Sequence, residues 1–420
     1  MTIAAASSIT DCTPRLYGQT SDKYIQYPKN DLIGGRGGIA VPQEEPLARH
    51  APAGTFVRRI EQAVGILSQL GRAERGSALI SSLPNCRYLT NFSGSNALAV
   101  ITWGAGINVS LITDGRYLDQ ADVELAELLG TSPIQTQLLD QAGGGALGLA
   151  AELAAAGGQI FCEYSAITHR DYESFVDALG HGDRPADCSG AVERLRRVKD
   201  PHEIDLISTA ASIADRALAA VVPTIQDGVQ ELEIAAELNS KMMSLGSGGP
   251  AFETIIGSGP NGALPHAHPG SRRVRGGEAV VIDFGAEFAG YRSDCTRTIF
   301  VAGEPASREM RRVYEAVLAS QRAGIDALTA GSEVGAIDAA CRSALPKDLA
   351  PRFTHATGHS IGLEVHEDPI LRAGGSDVLR QGMVVTVEPG VYLSGQFGVR
   401  IEDTMLVDAS GSRPLTGLPK

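Results

Sequence analysis

No two cysteines in this 420-residue chain are spaced C-x-x-C. The six, at 12, 86, 162, 188, 295 and 341, lie far apart, which argues against both a thiolate metal cage and a disulfide framework. A reducing cytoplasm is the expected compartment. The chain also lacks a run of about 18 apolar residues of the kind that spans a membrane. Its opening, MTIAAASSITDCTPRLYG, has neither the basic lead nor the apolar stretch of a secretory signal. Positive charge is in deficit: 36 Lys and Arg stand against 49 Asp and Glu, a formal charge of -13, which disfavours nucleic acid and anionic membranes as partners. What remains, 43% hydrophobic and 20% charged residues, is the composition of a soluble globular protein. The length suggests two domains.

Residues 1–56 are rich in Gly, Pro and polar residues without a sustained period, and read as a poorly ordered or arm-like extension. From Phe56 the pattern changes. Ile60, Val64, Leu67 and Leu70 recur at helical spacing, SALISSLP reads as a short strand, and ALAVITW and INVSLITDGRYL as further strands. Residues 57–193 are therefore expected to form an α/β unit. The glycine-rich GGGALGLAAELAAAGG has no Lys-Ser/Thr after it, so it reads as the lead into an alanine-rich helix rather than a phosphate loop. Residues 194–420 form the second unit. The basic run Arg194 to Lys199 reads as a solvated linker, and Asp200-Pro201-His202-Glu203 as a capped helix start. A second helix, at about 229–245, presents Leu232, Ala235, Ala236, Leu238 and Met242, after which strands are expected to dominate.

This second unit contains an internal echo. GEAVVIDFGAEFAGYRSDCTRTIFV and GMVVTVEPGVYLSGQFGVRIEDTMLV each start with a glycine, reach a carboxylate six positions on, and place a glycine two positions later. Gly277 thus leads to Asp283 and Gly285, and Gly382 to Glu388 and Gly390. Each segment then returns as a strand with a second acid, Asp294 or Glu402, so two hairpins with an acid on either arm are implied. AVVIDFG and VVTVEPG are nearly continuous apolar runs, the mark of strands buried on both faces. An ionised carboxylate there costs several kcal/mol unless neutralised, and Arg292, Arg297 and Arg400 are the only cations on these strands. A single strand acid could sit in solvent or pair with arginine. Four in repeated positions, joined by His359, point instead to divalent metal, and the oxygen-rich set suits two ions of the manganese type better than one tetrahedral zinc.

ATGHSIGLEVHED, residues 356–368, offers two readings: a serine elbow, or part of a metal site built from His359 and His366 with Glu364, Glu367 and Asp368 around them. Gly358-His359-Ser360-Ile361-Gly362 fits G-x-S-x-G, but RFTHATGH before it is not the buried strand that a serine elbow follows, so the metal reading of His359 is preferred to a nucleophilic Ser360. Gly257 to Gly262 formally matches G-x-G-x-x-G, yet Pro260 and the following ALPH do not open a helix, so no dinucleotide site is implied. His266, His268, His355, His359 and His366 cluster in sequence, and those that do not ligate are candidates for substrate contact and proton transfer.

GPNGALPHAHPG, VIDFGAEFAGYRSDCTRT, HATGHSIGLEVHE, TVEPGVYL and GVRIED, in this order and spacing, resemble the signature blocks of the proline-specific metallopeptidases of the pita-bread fold, the Xaa-Pro aminopeptidases and Xaa-Pro dipeptidases (prolidases). RYLTNFSGSNA and LITDGRYLDQA resemble the creatinase-like N-terminal domain that precedes that fold. The resemblance implies an α+β protein whose catalytic domain has pseudo-twofold halves. It implies that Asp283, Asp294, His359, Glu388 and Glu402 hold two ions, usually Mn2+, with Co2+, Fe2+ or Zn2+ as alternatives, and that Asp294 and Glu402 bridge. It further implies that His266, His355, His366 and Arg400 line the substrate site, that Glu388 steers the nucleophilic water, and that the chain forms a homodimer or larger assembly. The expected reaction is hydrolysis of an Xaa-Pro bond, in peptides with proline second or in dipeptides, by a metal-bridging hydroxide. The alternatives are hydrolysis of another C–N bond, as in creatinase-like enzymes, and a non-catalytic binding protein on the same fold.

Overall fold

A computed structural model describes residues 51–420 except 131, 142–144, 156–157 and 181–183. The extension expected over 1–56 lies outside the described residues as far as residue 50, and a helix already begins at Thr55.

The N-terminal unit opens with α1 (Thr55–Gly71), β1 (Gly76–Ile80) and α2 (Leu83–Thr90). Then come β2 (Leu98–Trp103), β3 (Ile107–Thr113), α3 (Leu118–Glu124), α4 (Ala126–Leu129) and β4 (Gln135–Asp140). It closes with α5 (Ala146–Ala154), β5 (Gln159–Cys162), α6 (His169–Leu179) and β6 (Ala186–Asp187). The strands make one six-stranded sheet in the order β4-β3-β2-β1-β5-β6. Central β1 is buried throughout because both faces are covered. With the period-two alternation of a strand, Ala78 and Ile80 face the cluster holding Ile60 and Leu67 of α1, while Leu79 faces Ala150 of α5 and Phe175 of α6. SALISSLP is a strand only as far as Ile80. Ser82 instead caps α2, its hydroxyl accepting from Asn85 N, with a proline in the first turn.

A short helix α7 (Glu193–Arg196) leads into the second unit, which begins with α8 (Pro201–Val221) and α9 (Glu231–Ser244). Asp200 and Glu203 form a reciprocal capping box with Pro201 just inside the helix. By length and composition, α8 with its extension to Thr224 is apolar enough to cross a membrane, contrary to expectation, but it buries Leu206, Ile207, Ala210 and Ala214 within the protein. In α9 the inward residues are Ile234, Ala235, Leu238 and Met242, and the expected Leu232 and Ala236 are exposed, because the buried stripe is centred on Ile234.

The first half continues with β7 (Gly249–Pro250), β8 (Ile255–Ser258), β9 (Ala279–Phe284), β10 (Ala286–Phe288), β11 (Tyr291–Arg292) and β12 (Cys295–Phe300). Strands do not dominate from here, for a second helix pair follows, α10 (Arg308–Asp326) and α11 (Val334–Ala344). The second half then adds β13 (Gly358–Ser360), β14 (Glu367–Leu371), β15 (Val384–Val387), β16 (Gly390–Leu393), β17 (Phe397–Arg400), β18 (Asp403–Asp408) and β19 (Gly411–Pro414). Both halves follow one plan: two helices, then a sheet whose long antiparallel pair, β9 with β12 or β15 with β18, is interrupted by short strands. The glycine that follows each first acid in the echo has a steric reason at Gly285, where a Cβ would sit 1.9 Å from the Ser293 carbonyl oxygen.

The basic run is not a solvated linker. Arg196 and Lys199 are 2% and 3% exposed. Arg196 donates to Glu367 at 2.5 Å, Glu364 at 2.7 Å and Asn85 Oδ1 at 2.8 Å, and Lys199 Nζ lies 3.1 Å from Glu367. Arg197 pairs with Asp368 and Asp377. Its partners lie far along the chain, so local composition could not reveal them. Burial pushes the Glu367 carboxyl up, but Lys199 and Arg196 prevail and hold it down at about 2. With its folded value below the unfolded one, the contribution of Glu367 is complete above about pH 4.5 and is lost as pH falls toward about 2. Glu367→Gln is expected to cost about 3 kcal/mol near neutral pH, because Lys199 and Arg196 stay buried without their partner. Thermal unfolding of the two proteins should show this gap near neutrality and its closure in acid.

Candidate metal centre

The two long strand pairs meet end to end through threonines. Thr296 Oγ1 donates to Glu402 Oε2 at 2.7 Å, Thr298 Oγ1 to the Arg400 carbonyl at 2.9 Å, and Thr404 Oγ1 to the Asp294 carbonyl at 2.7 Å. Asp283, the penultimate residue of β9, faces Thr296, and Asp294 immediately precedes β12. Glu388 immediately follows β15 and Glu402 precedes β18, so the two halves deliver four acids to one place.

His359 on β13 completes the cluster. A carbonyl can only accept, so the 3.1 Å contact to Ser360 O puts the proton on Nδ1 and leaves the Nε2 lone pair free. Nε2 lies 3.5 Å from both Asp294 Oδ2 and Glu388 Oε1. One donor atom each from Asp294, His359 and Glu402 lies within 4.8 Å of the others. Asp283 Oδ1, Asp294 Oδ1 and Glu402 Oε1 are buried without a hydrogen-bond partner. Leaving such atoms unpaired costs about 1–3 kcal/mol each, more for charged groups, and the donor set fits divalent cations.

The electrostatics agree with that fit. Burial, then repulsion from neighbouring acids, holds Asp294 and Glu402 well above the usual carboxylate range. Burial likewise lifts Glu388 to about 8 despite the attraction of Arg400. His359 is pushed down to about 4 by burial and by His366, which keeps its imidazole neutral, the form that ligates.

The remaining candidates line one side of this cluster. His366 is exposed, with its ring edge-on to His359 at 4.5 Å between centroids. His355 donates from Nδ1 to the Ala356 carbonyl at 2.8 Å and accepts at Nε2 from the Tyr392 hydroxyl at 2.9 Å. Burial, then Arg400 and His266, keep His355 down at about 4. His266 is exposed and follows Pro265, whose carbonyl Arg400 reaches. Arg400 is 3% exposed, and its guanidinium reaches Asp283 at 2.5 Å, the Tyr392 hydroxyl at 2.8 Å, and Thr296 Oγ1 and the Pro265 carbonyl at 3.1 Å each. In this arrangement it balances the acidic pocket.

Two participants were missed from sequence, Thr296 and Tyr392. For Tyr392 a signal existed. Alternation puts Gly390 and Tyr392 on one face of β16, opposite Arg400 and Gly398 of β17, and a Cβ at either glycine would collide with the Tyr392 ring. Ser360 is fully buried, donates to the Val384 carbonyl at 2.9 Å and accepts from Lys199 Nζ at 2.9 Å, so its hydroxyl is structural. Gly257 to Gly262 runs from β8 into a 3-10 turn, Gly259–Ala263, with no α-helix after it. Glu364, Glu367 and Asp368, which in sequence looked like part of a metal site with the two histidines, instead face Arg196, Lys199 and Arg197.

Known proteins match both units of the chain. The sequence profile of metallopeptidase family M24 matches residues 205–409, and that of the creatinase/prolidase N-terminal domain matches residues 59–198. An uncharacterized peptidase of Bacillus subtilis is 35% identical over 86% of this chain and 98% of its own. Among solved structures, the Xaa-Pro dipeptidase from Bacillus anthracis superposes with a TM-score of 0.79 at 33% identity, over 87% of this chain and 98% of that one. The X-Pro aminopeptidase from Thermotoga maritima gives 0.74 at 32% identity, over 83% and 97%.

Elemental analysis after dialysis against a divalent salt, then against buffer, should find metal retained by the wild-type protein and lost from Asp294→Ala. Chelation of the wild type should lower its melting temperature, and re-addition of the salt should restore it, since a ligand bound only to the folded state stabilises it.

Proposed function

The chain belongs to metallopeptidase family M24, and from that premise we propose that it hydrolyses the bond between an amino acid and proline at the start of a peptide or in a dipeptide. The observation that carries this reading is the buried set of orphaned carboxylate oxygens facing the free lone pair of His359. Asp283, Asp294, His359, Glu388 and Glu402 would hold two divalent ions, manganese first. When bound, such ions neutralise the acids, acidify a water and polarise a carbonyl.

The chain's own residues do the rest. A bond preceding proline has no N–H for a peptidase to grip, so recognition has to come from shape and from the carbonyl side. Glu388 would take the proton of the attacking water. His266 and His366, on the exposed side of the cluster, contact the substrate around its prolyl residue and donate to the developing oxyanion. Arg400 and the Tyr392 hydroxyl fix Asp283 and His355. The five described cysteines, all free and buried, are in keeping with a reducing cytoplasm, where we place the enzyme, as a homodimer. A complete donor set with no position missing favours this reading over other C–N hydrolysis or a binding role.

Protein reconstituted with Mn2+ after chelation should cleave Gly-Pro or an Arg-Pro-Pro peptide and leave creatine intact. The ratio of the two peptide rates separates dipeptidase from aminopeptidase action. Glu388→Gln should lower kcat by about 100-fold or more, the range for removing a general base. Ser360→Ala, assayed at saturating Mn2+, should keep most of its turnover; loss of activity there with Asp294→Ala still active would restore the serine reading.

A further inference from the structure

We propose that Lys199, Glu367 and Arg196 form a positioning clamp that sets the orientation of His359, and that the clamp has its foot in the N-terminal unit. This rests on the metal reading of the site. β13 does not run evenly against β14: His359 faces Ile370, but the next residue, Ser360, faces Glu367, so the register jumps between the ligand and its neighbour. A bulge of this kind re-aims a side chain, and the ladder alone does not hold it there.

The two residues that face each other across the jump are the two that Lys199 grips. Its Nζ, on a side chain 1% exposed, donates to Ser360 Oγ at 2.9 Å and pairs with Glu367 Oε2 at 3.1 Å. An ammonium cannot accept, so Ser360 Oγ accepts from Lys199 and sends its own proton to the Val384 carbonyl. Ser360 is thereby fixed at its hydroxyl, and its carbonyl receives the His359 Nδ1 proton that frees Nε2. Arg196 holds the other oxygen of Glu367 and also donates to Asn85 Oδ1 in α2. Asn85 in turn donates to Glu163 at 2.6 Å and Glu193 at 2.8 Å. A continuous set of hydrogen bonds thus runs from the first sheet's helix layer to the only imidazole of the donor set.

Groups that orient a ligating histidine tune metal affinity more than fold, and their removal typically weakens binding by about 10–100-fold. The test is calorimetric titration of chelated protein with Mn2+, well below the melting temperature. Lys199→Met should raise the Mn2+ dissociation constant by about 10-fold or more, and Ser360→Ala, which spares the ion pair, by a smaller factor in the same direction. Leu206→Ala in the α8 core supplies a comparably destabilised protein and should bind Mn2+ like the wild type. Should Lys199→Met fail to fold, Ser360→Ala decides alone. Wild-type affinity in the clamp variants, or equal weakening in Leu206→Ala, overturns the clamp. A wild-type protein that takes up no Mn2+ removes the metal reading itself, and the clamp with it.

Discussion

Carboxylates folded inward without a counter-charge are the constraint on which this structure turns. Asp294 and Glu402 are 5% and 1% exposed, each keeps an oxygen with no donor, and the nearest fixed cation, Arg400, is already bound to Asp283. Removing such groups from water costs several kcal/mol apiece unless they are neutralised. On the proposed reading, divalent ions would supply the missing charge.

The pseudo-twofold plan makes that arrangement accessible to a single chain. One half of the pita-bread domain contributes Asp283 and Asp294, the other Glu388 and Glu402, each pair at the ends of adjacent antiparallel strands. The seam between halves is closed by small side chains that can donate: Thr296 reaches Glu402, and Thr404 reaches the Asp294 backbone. A hydroxyl satisfies one carboxylate oxygen without neutralising its charge, leaving the second oxygen free to ligate. A lysine at Thr296 would fill the site with its own cation.

Periodicity and spacing made the cluster of acids legible, because a strand's alternation and a repeated glycine-to-acid interval are local properties. The same is true of the capping box at Asp200 and of the first sheet's apolar strands. What sequence hid depends on contacts between distant residues. Arg196 and Lys199 read as solvated because nothing within ten residues pairs with them, yet their partners Glu364 and Glu367 lie more than 160 positions on. Tyr392 hid for a related reason: its role depends on two glycines, one on each strand of its hairpin, that leave room for the ring. Leu232 shows the opposite failure, an apolar residue at plausible helical spacing that faces solvent.

Two groups of buried acids in the second unit are moved in opposite directions by their surroundings. Glu367 beside Lys199 and Arg196, and Asp403 beside Arg297 and Lys420, are held below the ordinary carboxylate range, because fixed cations outweigh the cost of burial. Asp294, Glu388 and Glu402 are held above it, by burial first and then by the acids around them, against the pull of Arg400. Burial alone therefore does not identify a metal ligand. Glu364, Glu367 and Asp368, which stand beside both histidines in sequence, are paired with fixed cations, whereas Asp283, though paired with Arg400, keeps a second oxygen buried and unclaimed. The pairing has a functional consequence under the proposed metal reading. Glu364, Glu367 and Asp368 are committed to the Arg196 to Lys199 segment, so a divalent ion entering beside His359 would meet the unpaired carboxylate oxygens of the cluster rather than these three acids.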